Sequence, residues 1–330
     1  MANLKNTQIN DTGFLQLPEG TTAQRPNSPQ EGMIRYNTDL NQTEYYDGSA
    51  WRNIKDFGSK ATGGDVISNI LVGGIPYTVH YFTSTGNSTF TVTKSGEVEY
   101  LIVGGGGGGG FGNQNEGGGG GGAGGFLTGF TNVTPQNYTI TVGGGGGGGT
   151  SNNTSGTNGG NSSAFGLTAL GGGGGASCRN SGSDGASGGG GSGCSIDRPG
   201  GAATQPGSAS GGFGHPGGRG RNVNNTPGNG NGGGGGGAGG PGGDGINRRG
   251  GPRGSGQTNS TGGAGPGLTS CISGEPVVYA TGGKGFRGEI GSDGGSAPPS
   301  VPNRGNGGNG SSLRTGPAGG SGIVIIRYRA

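Results

Sequence analysis

The residues able to do chemistry are few and scattered. Of 330 residues only two are histidine, His80 and His215. His80 alternates within the run "YTVHYF" (Tyr77 to Phe82), which makes it a packed strand residue rather than a general base. Cys178, Cys194 and Cys271 have no zinc-type spacing with either histidine. Their odd number, in a chain whose start shows no signal-peptide pattern, predicts free thiols. "GGKG" (Gly282 to Gly285) has Gly where a phosphate-binding loop needs Ser or Thr. "GASGG" (Gly185 to Gly189) spells a nucleophile elbow without the strand and helix that make one. No base is spaced to serve a nucleophile. The expectation is a protein that is not an enzyme and uses no metal or cofactor.

Arginines in "GGRGRN", "NRRGG" and "PRGSG" resemble segments that bind RNA through charge and stacking. They are thinly spread, and 20 Lys and Arg stand against 17 Asp and Glu, a net charge of +3. No nucleic-acid partner is therefore expected. No stretch approaches the ~20 apolar residues of a membrane span, so no membrane insertion is expected either.

What remains is recognition chemistry. Aromatic, basic and amide side chains gather in the segments between glycine runs: Phe111, Asn113, Gln114 and Asn115; Phe213, His215, Arg219 and Arg221; Tyr279, Phe286 and Arg287. Loops held by a rigid scaffold favour binding, so these eleven are the candidate contact residues. Solvated turn filler is the competing reading for each.

The elements that hold them follow from composition. Glycine supplies 97 of 330 residues, about four times the usual ~7%. Collagen is excluded, because stretches such as "GGFGHPGGRGRNVNNTPG" keep no three-residue register. Self-repulsion does not hold the chain open, since its net charge is small. "YTVHYF", "STFTVT" (Ser88 to Thr93) and "EVEYLIV" (Glu97 to Val103) are rich in β-branched and aromatic residues and read as strands. From there the chain repeats one theme. "YLIV" runs into Gly104 to Gly110, and "YTITV" runs into Gly143 to Gly149. The final "GIVIIRY" (Gly322 to Tyr328) is a strand whose partners lie far back in sequence. No window has helical periodicity.

A glycine-rich excursion pinned at both ends to a β-scaffold can order itself as extended three-residue-per-turn helices. These bond to one another side by side. Glycine is needed at each contact because a Cβ would part the backbones, so Gly104, Gly107, Gly110, Gly143, Gly146 and Gly149 are the expected array positions. The predicted fold is all-β. It comprises a small N-terminal β module (1–56), a connector (57–76) and a glycine-rich domain (77–330). That domain has a β-sandwich scaffold (77–170 and 322–328) carrying packed polyglycine-II helices and loops (104–321).

"GFLQLPEGTTAQRPNSPQEGMIRYNTDLNQTEYYDGSAWRNI" (Gly13 to Ile54) resembles an N-terminal module of tailed-phage virion proteins. "YTVHYFTSTGNSTFTVTKSGEVEYLIVGGGGGGG", "NGGNSSAFGLTALGGGGGA" and the terminal "GSGIVIIRY" resemble the phage glycine-rich domain family. The resemblance implies a virion surface protein, a tail fibre or fibre tip, made in the bacterial host cytoplasm. It implies that the N-terminal module anchors to other virion proteins, with Arg25, Arg35, Tyr36, Tyr45 and Trp51 as its marks. It further implies a homotrimer whose loops meet a host-surface glycan or protein. A purely structural or decoration protein of the capsid or tail is the alternative.

Overall fold

The computed structural model describes residues 16–54, 59–112, 117–194, 196–222, 230–246, 261–286, 302–311 and 315–330. The chain divides into two compact units, Met1–Gly58 and Ser59–Ala330. Among the described residues there is no α-helix, and the all-β expectation holds.

The first unit is a four-stranded sheet in the order β1 (Glu19–Gly20), β2 (Ile34–Asn37), β3 (Gln42–Tyr46), β4 (Trp51–Asn53). The Asp47-Gly48 turn joins the last two strands, with Gly48 at φ +91°. Asp47 Oδ1 accepts the Ser49 and Ala50 N–H groups at 2.9 and 2.7 Å, and Arg52 Nε donates to Oδ2 at 2.7 Å. The Arg52 bond above all, then those turn bonds, hold the Asp47 carboxyl far below the usual range.

So small a piece cannot bury much apolar surface, and its inner face is closed by charge instead. Glu44, 1% exposed, accepts from Arg25 at 2.5 Å and from Asn37 at 3.1 Å, with Arg35 at 3.6 Å. The Arg25 hydrogen bond is the main cause of a lowered Glu44 pKa. The Arg25 guanidinium also lies 5.9 Å from the Trp51 ring centroid.

The second unit begins with β5 (Lys60–Thr62), β6 (Val66–Val72), β7 (Ile75–Phe82), β8 (Gly86–Lys94) and β9 (Gly96–Val103). It continues with β10 (Phe126–Val133), β11 (Gln136–Val142), β12 (Ser162–Ala164) and β13 (Leu167–Ala169). Short pairs follow, β14 (Arg221–Asn222) with β15 (Gly230–Asn231) and β16 (Leu268–Ser270) with β17 (Val277–Tyr279), and β18 (Ile323–Arg329) ends the unit. The reading of 57–76 as a connector needs correction: β5 pairs with β8 and β6 pairs with β7, so this segment supplies scaffold strands.

Two five-stranded sheets form the scaffold, in the orders β10-β9-β18-β7-β6 and β13-β12-β11-β8-β5. Phe82, Phe90, Ile102, Ile140, Val324 and Ile326 fill the space between them. β18 lies between β7 and β9. Its other face, Ile323 and Ile325, packs with Ile272 and Tyr279. A strand covered on both faces reads as an unbroken apolar run, which explains "IVII".

His80 is buried at this junction. Its Nδ1 lies 2.7 Å from the Gly63 carbonyl oxygen and its Nε2 lies 3.0 Å from the Tyr328 hydroxyl. Phe165 takes φ +54° at the β12–β13 turn. Its ring packs edge-on to Phe90 and Tyr138, with centroids 6.2 and 5.3 Å away.

The glycine runs form a lattice whose interior is bonded backbone to backbone. In Gly104–Gly110, the N–H groups of residues 104, 107 and 110 donate to the carbonyls of Gly125, Gly122 and Gly119. Those of 105 and 108 donate to Gly160 and Thr157, and those of 106 and 109 to Gly320 and Pro317. The carbonyls of Gly105, Gly106 and Gly107 accept from three further runs, through Gly172, Gly146 and Gly308. Every third residue thus addresses the same neighbour, the period of a three-residue-per-turn helix, and one run touches six others. A Cβ on Gly104, Gly107, Gly110, Gly143, Gly146 or Gly149 would stand well under 3.0 Å from a neighbouring run's carbonyl oxygen.

Where the lattice ends, side-chain oxygens take the place of the next run. Asn158 and Asn161 Oδ1 accept the Gly174 and Gly171 N–H groups, each at 2.8 Å. Asn306 and Asn309 do the same for Thr281 and Lys284, at 3.0 and 2.7 Å. The three-residue spacing of each pair follows from the helix period.

Candidate functional site

The array has two ends. Gly104 continues β9, Gly125 leads into β10 and Gly143 continues β11, so one end sits on the sandwich. The register carries the other end seven residues outward, about 22 Å at ~3.1 Å per residue. There Gly110 bonds Gly119 and Ser311, while Gly117 bonds Gly230 and Gly193. The described residues flanking 113–116, 223–229, 247–260 and 312–314 all lie at this distal end.

Four candidates lie toward it. Phe111, half-buried, donates its N–H to Ser177 Oγ at 2.8 Å. Arg221 bridges two carboxylates, Asp197 at 2.9 Å and Asp244 at 3.3 Å. The Asp197 hydrogen bond leads the causes that raise its pKa. Arg219 is exposed, and its N–H donates to Asp244 Oδ1 at 2.7 Å. Phe286 is held through its backbone, bonded to Gly118 and Gly232. Asn113, Gln114, Asn115 and Arg287 lie outside the described residues.

The other three lie at the sandwich end. Phe213 pairs with Phe126, their ring centroids 6.2 Å apart. His215 Nδ1 is 3.1 Å from the Gly237 carbonyl oxygen. Tyr279 is 3% exposed, with the Arg304 guanidinium 5.3 Å from its ring centroid. Its reading as a loop contact is corrected: "EPVVYATGGKGFRGE" supplies strand β17 and then a lattice run that reaches the distal end only at Phe286. One sequence segment therefore feeds both ends, and the candidates form two groups.

The distal end also holds residues that sequence reasoning passed over. Ile196 and Ile246 are 42% and 48% exposed. Cys178 and Cys194 form a disulfide, with Cα atoms 5.1 Å apart. The expectation of three free thiols holds for Cys271 alone, which is exposed. The missed signal is positional. Each bonded cysteine closely follows a glycine run, and those runs lie side by side and parallel, Gly173 bonding Ser187 and Ala176 bonding Gly190.

The first unit sorts its marks onto two faces. Arg25, Arg35 and Trp51 belong to the inner face around Glu44, where they hold the sheet together. Strand alternation puts Tyr36 and Tyr45 on the other face, beside Ile34, which is 47% exposed.

Among the described residues no three His, Cys, Asp or Glu side chains cluster as metal ligands. A cavity of about 410 Å³ opens on the sandwich, lined by the neutral side chains of Thr131, Asn132, Asn137, Tyr138, Thr139 and Phe165, together with Gly166. Among the described residues, the distal end carries mixed apolar and charged groups. A family model described as a glycine-rich domain matches residues 83–329. No curated protein matches the chain.

Proposed function

The chain belongs to the glycine-rich domain family, and from that premise we propose that it is a non-enzymatic surface protein of a tailed-phage virion, a tail fibre or fibre tip, whose distal turns bind a host-surface glycan or protein. The observation that carries this reading is the gathering of the residues that flank turn after turn at one end of a lattice whose interior is held backbone to backbone. Such a scaffold leaves turn residues free to vary. Aromatic, apolar and Arg side chains there supply the usual anchors of an interface, and a disulfide at the same end suits an oxidising exterior. The first unit then attaches the protein to other virion proteins, through the face bearing Ile34, Tyr36 and Tyr45.

Replacing Phe111, Arg221 and Phe286 together with Ser tests the reading. Particles should carry normal amounts of the protein but adsorb poorly or to altered hosts. Phe213→Ser with His215→Ser, at the sandwich end, should leave adsorption unchanged. Normal adsorption of the triple variant refutes the receptor role and favours the purely structural alternative. Removing residues 1–56 should abolish incorporation into particles.

A further inference from the structure

The run Gly143–Gly149 departs from a pattern seen at two other edges of the lattice. There, side chains stand where a Cβ has room and cap neighbouring N–H groups, Asn158 with Asn161 and Asn306 with Asn309. At Gly144 and Gly147 a Cβ would meet nothing closer than 4.0 and 3.7 Å. Both positions are nevertheless glycine. Gly263 also faces open space, but three residues on the sequence has Pro266.

The same run leaves backbone groups bare. Its N–H groups at 146 and 149 donate to Gly106 and Gly109, and its carbonyls at 143, 146 and 149 accept from Gly322, Gly319 and Gly316. Among the described residues, neither the N–H nor the C=O of Gly145 and Gly148 has a partner. The direction of these groups follows from a fully surrounded run. There the carbonyls of Gly106 and Gly109, and the Cβ positions of Gly105 and Gly108, all face one neighbour, Gly143–Gly149. By the same geometry the bare carbonyls of Gly145 and Gly148 face the side left empty at Gly144 and Gly147.

We propose that this row is an interface between copies of this chain, in which three Gly143–Gly149 runs pack about a threefold axis parallel to the array. The partner must be an extended backbone bringing N–H groups at three-residue spacing, and the row itself carries that set. A planar trans peptide points C=O and the following N–H in opposite directions. Three residues per turn set successive N–H directions about 120° apart. The open N–H and open C=O directions of Gly145 and Gly148 therefore lie about 60° apart, the angle at the corner of three mutually touching rods. Each copy donates from Gly145 and Gly148 to the next and accepts from the one before. This head-to-tail contact closes as a ring, and the partial charges are complementary at every contact. A Cβ at 144 or 147 would hold the rods apart, which accounts for the two glycines. The inference stands apart from the receptor reading.

The test uses the full chain. Light-scattering mass and amide hydrogen exchange are measured for wild type and for Gly144→Val with Gly147→Val. The expected wild-type mass is that of a trimer, with the Gly145 and Gly148 amides exchanging at least about tenfold slower than in the variant. The variant's interior amides at Gly107 and Gly108 should stay protected, because the new side chains meet open space within the chain. A wild type whose Gly145 and Gly148 amides exchange at the rate of unprotected peptide overturns the proposal, whatever its mass and whatever the variant does. So does a wild-type mass of one chain.

Discussion

Gly107→Ala adds one carbon to the middle of the lattice, and its effect can be worked from neighbouring distances. The new Cβ would stand well under 3.0 Å from the Gly173 carbonyl oxygen. It must recede by roughly 1 Å before the contact is ordinary. No flexible side chain can absorb this, since the obstacle is backbone. Gly172 N–H to Gly105 O and Gly175 N–H to Gly108 O, at 2.9 and 2.8 Å, join the same two runs. A further ~1 Å takes both beyond hydrogen-bonding range. Two buried pairs left unmade cost about 1–3 kcal/mol each, or about 2–6 kcal/mol together. For a unit of this size that lowers the melting temperature by roughly 5–20 °C. Gly263→Ala is the control, because its Cβ meets nothing within 4 Å. It should be neutral or stabilise by about 0.4–1 kcal/mol through the unfolded chain. Calorimetry of the two variants beside wild type reads the difference. Equal melting temperatures for Gly107→Ala and Gly263→Ala would refute a core made of packed backbone.

Ile325→Ala, at a fully buried site on β18, should cost about 2–5 kcal/mol by denaturation, and wild-type protease resistance after deletion of Gly322–Ala330 would show that this strand is no clamp. His80 is pulled below its ordinary pKa, chiefly by burial. The folded protein therefore binds this proton less readily than the unfolded chain, so its stabilisation is complete above pH ~6.5 and lost as pH falls below that value. Comparing His80→Phe with wild type across that window isolates the effect, and an unchanged pH slope counts against it. Thiol titration of the denatured, unreduced protein should find Cys271 alone, with Cys178 and Cys194 appearing after reduction. Cys178→Ser with Cys194→Ser should lower stability by about 3 kcal/mol in a chemical melt, as expected for a loop near 16 residues.

Much of this architecture was legible in the residues. The strand run "EYLIV" before seven glycines announces a chain entering an array, and "GIVIIRY" announces a strand that must return to the sheet. That glycine is needed wherever runs touch also follows from the residues, but the contacts extend beyond the six named positions to Gly105, Gly106, Gly108, Gly109, Gly145 and Gly148. What the sequence hides is direction. A glycine run carries no mark of which end it approaches, so Phe213 and Phe286 look alike until the register separates them. Tyr279 looks like a turn residue because the β16–β17 pair that buries it is short and lies between glycine stretches. The disulfide depends on two parallel runs being neighbours, which spacing along the chain does not reveal. In the first unit, "IRYNT" alternates polar and apolar residues, but the buried face is the polar one. An Arg–Glu–Arg network inverts the usual sense of that pattern.

The backbone-bonded lattice also sets how stability responds to temperature. Burying apolar surface gives ordinary unfolding its large positive heat-capacity change, and burying peptide groups works in the opposite sense. A core of glycine runs buries mostly peptide. Per residue, the second unit should unfold with a heat-capacity increment below the common ~12–15 cal/mol/K. Its stability curve is correspondingly flat, its enthalpy changes little with temperature, and cold costs it less than it costs a protein held together by oil-like contacts.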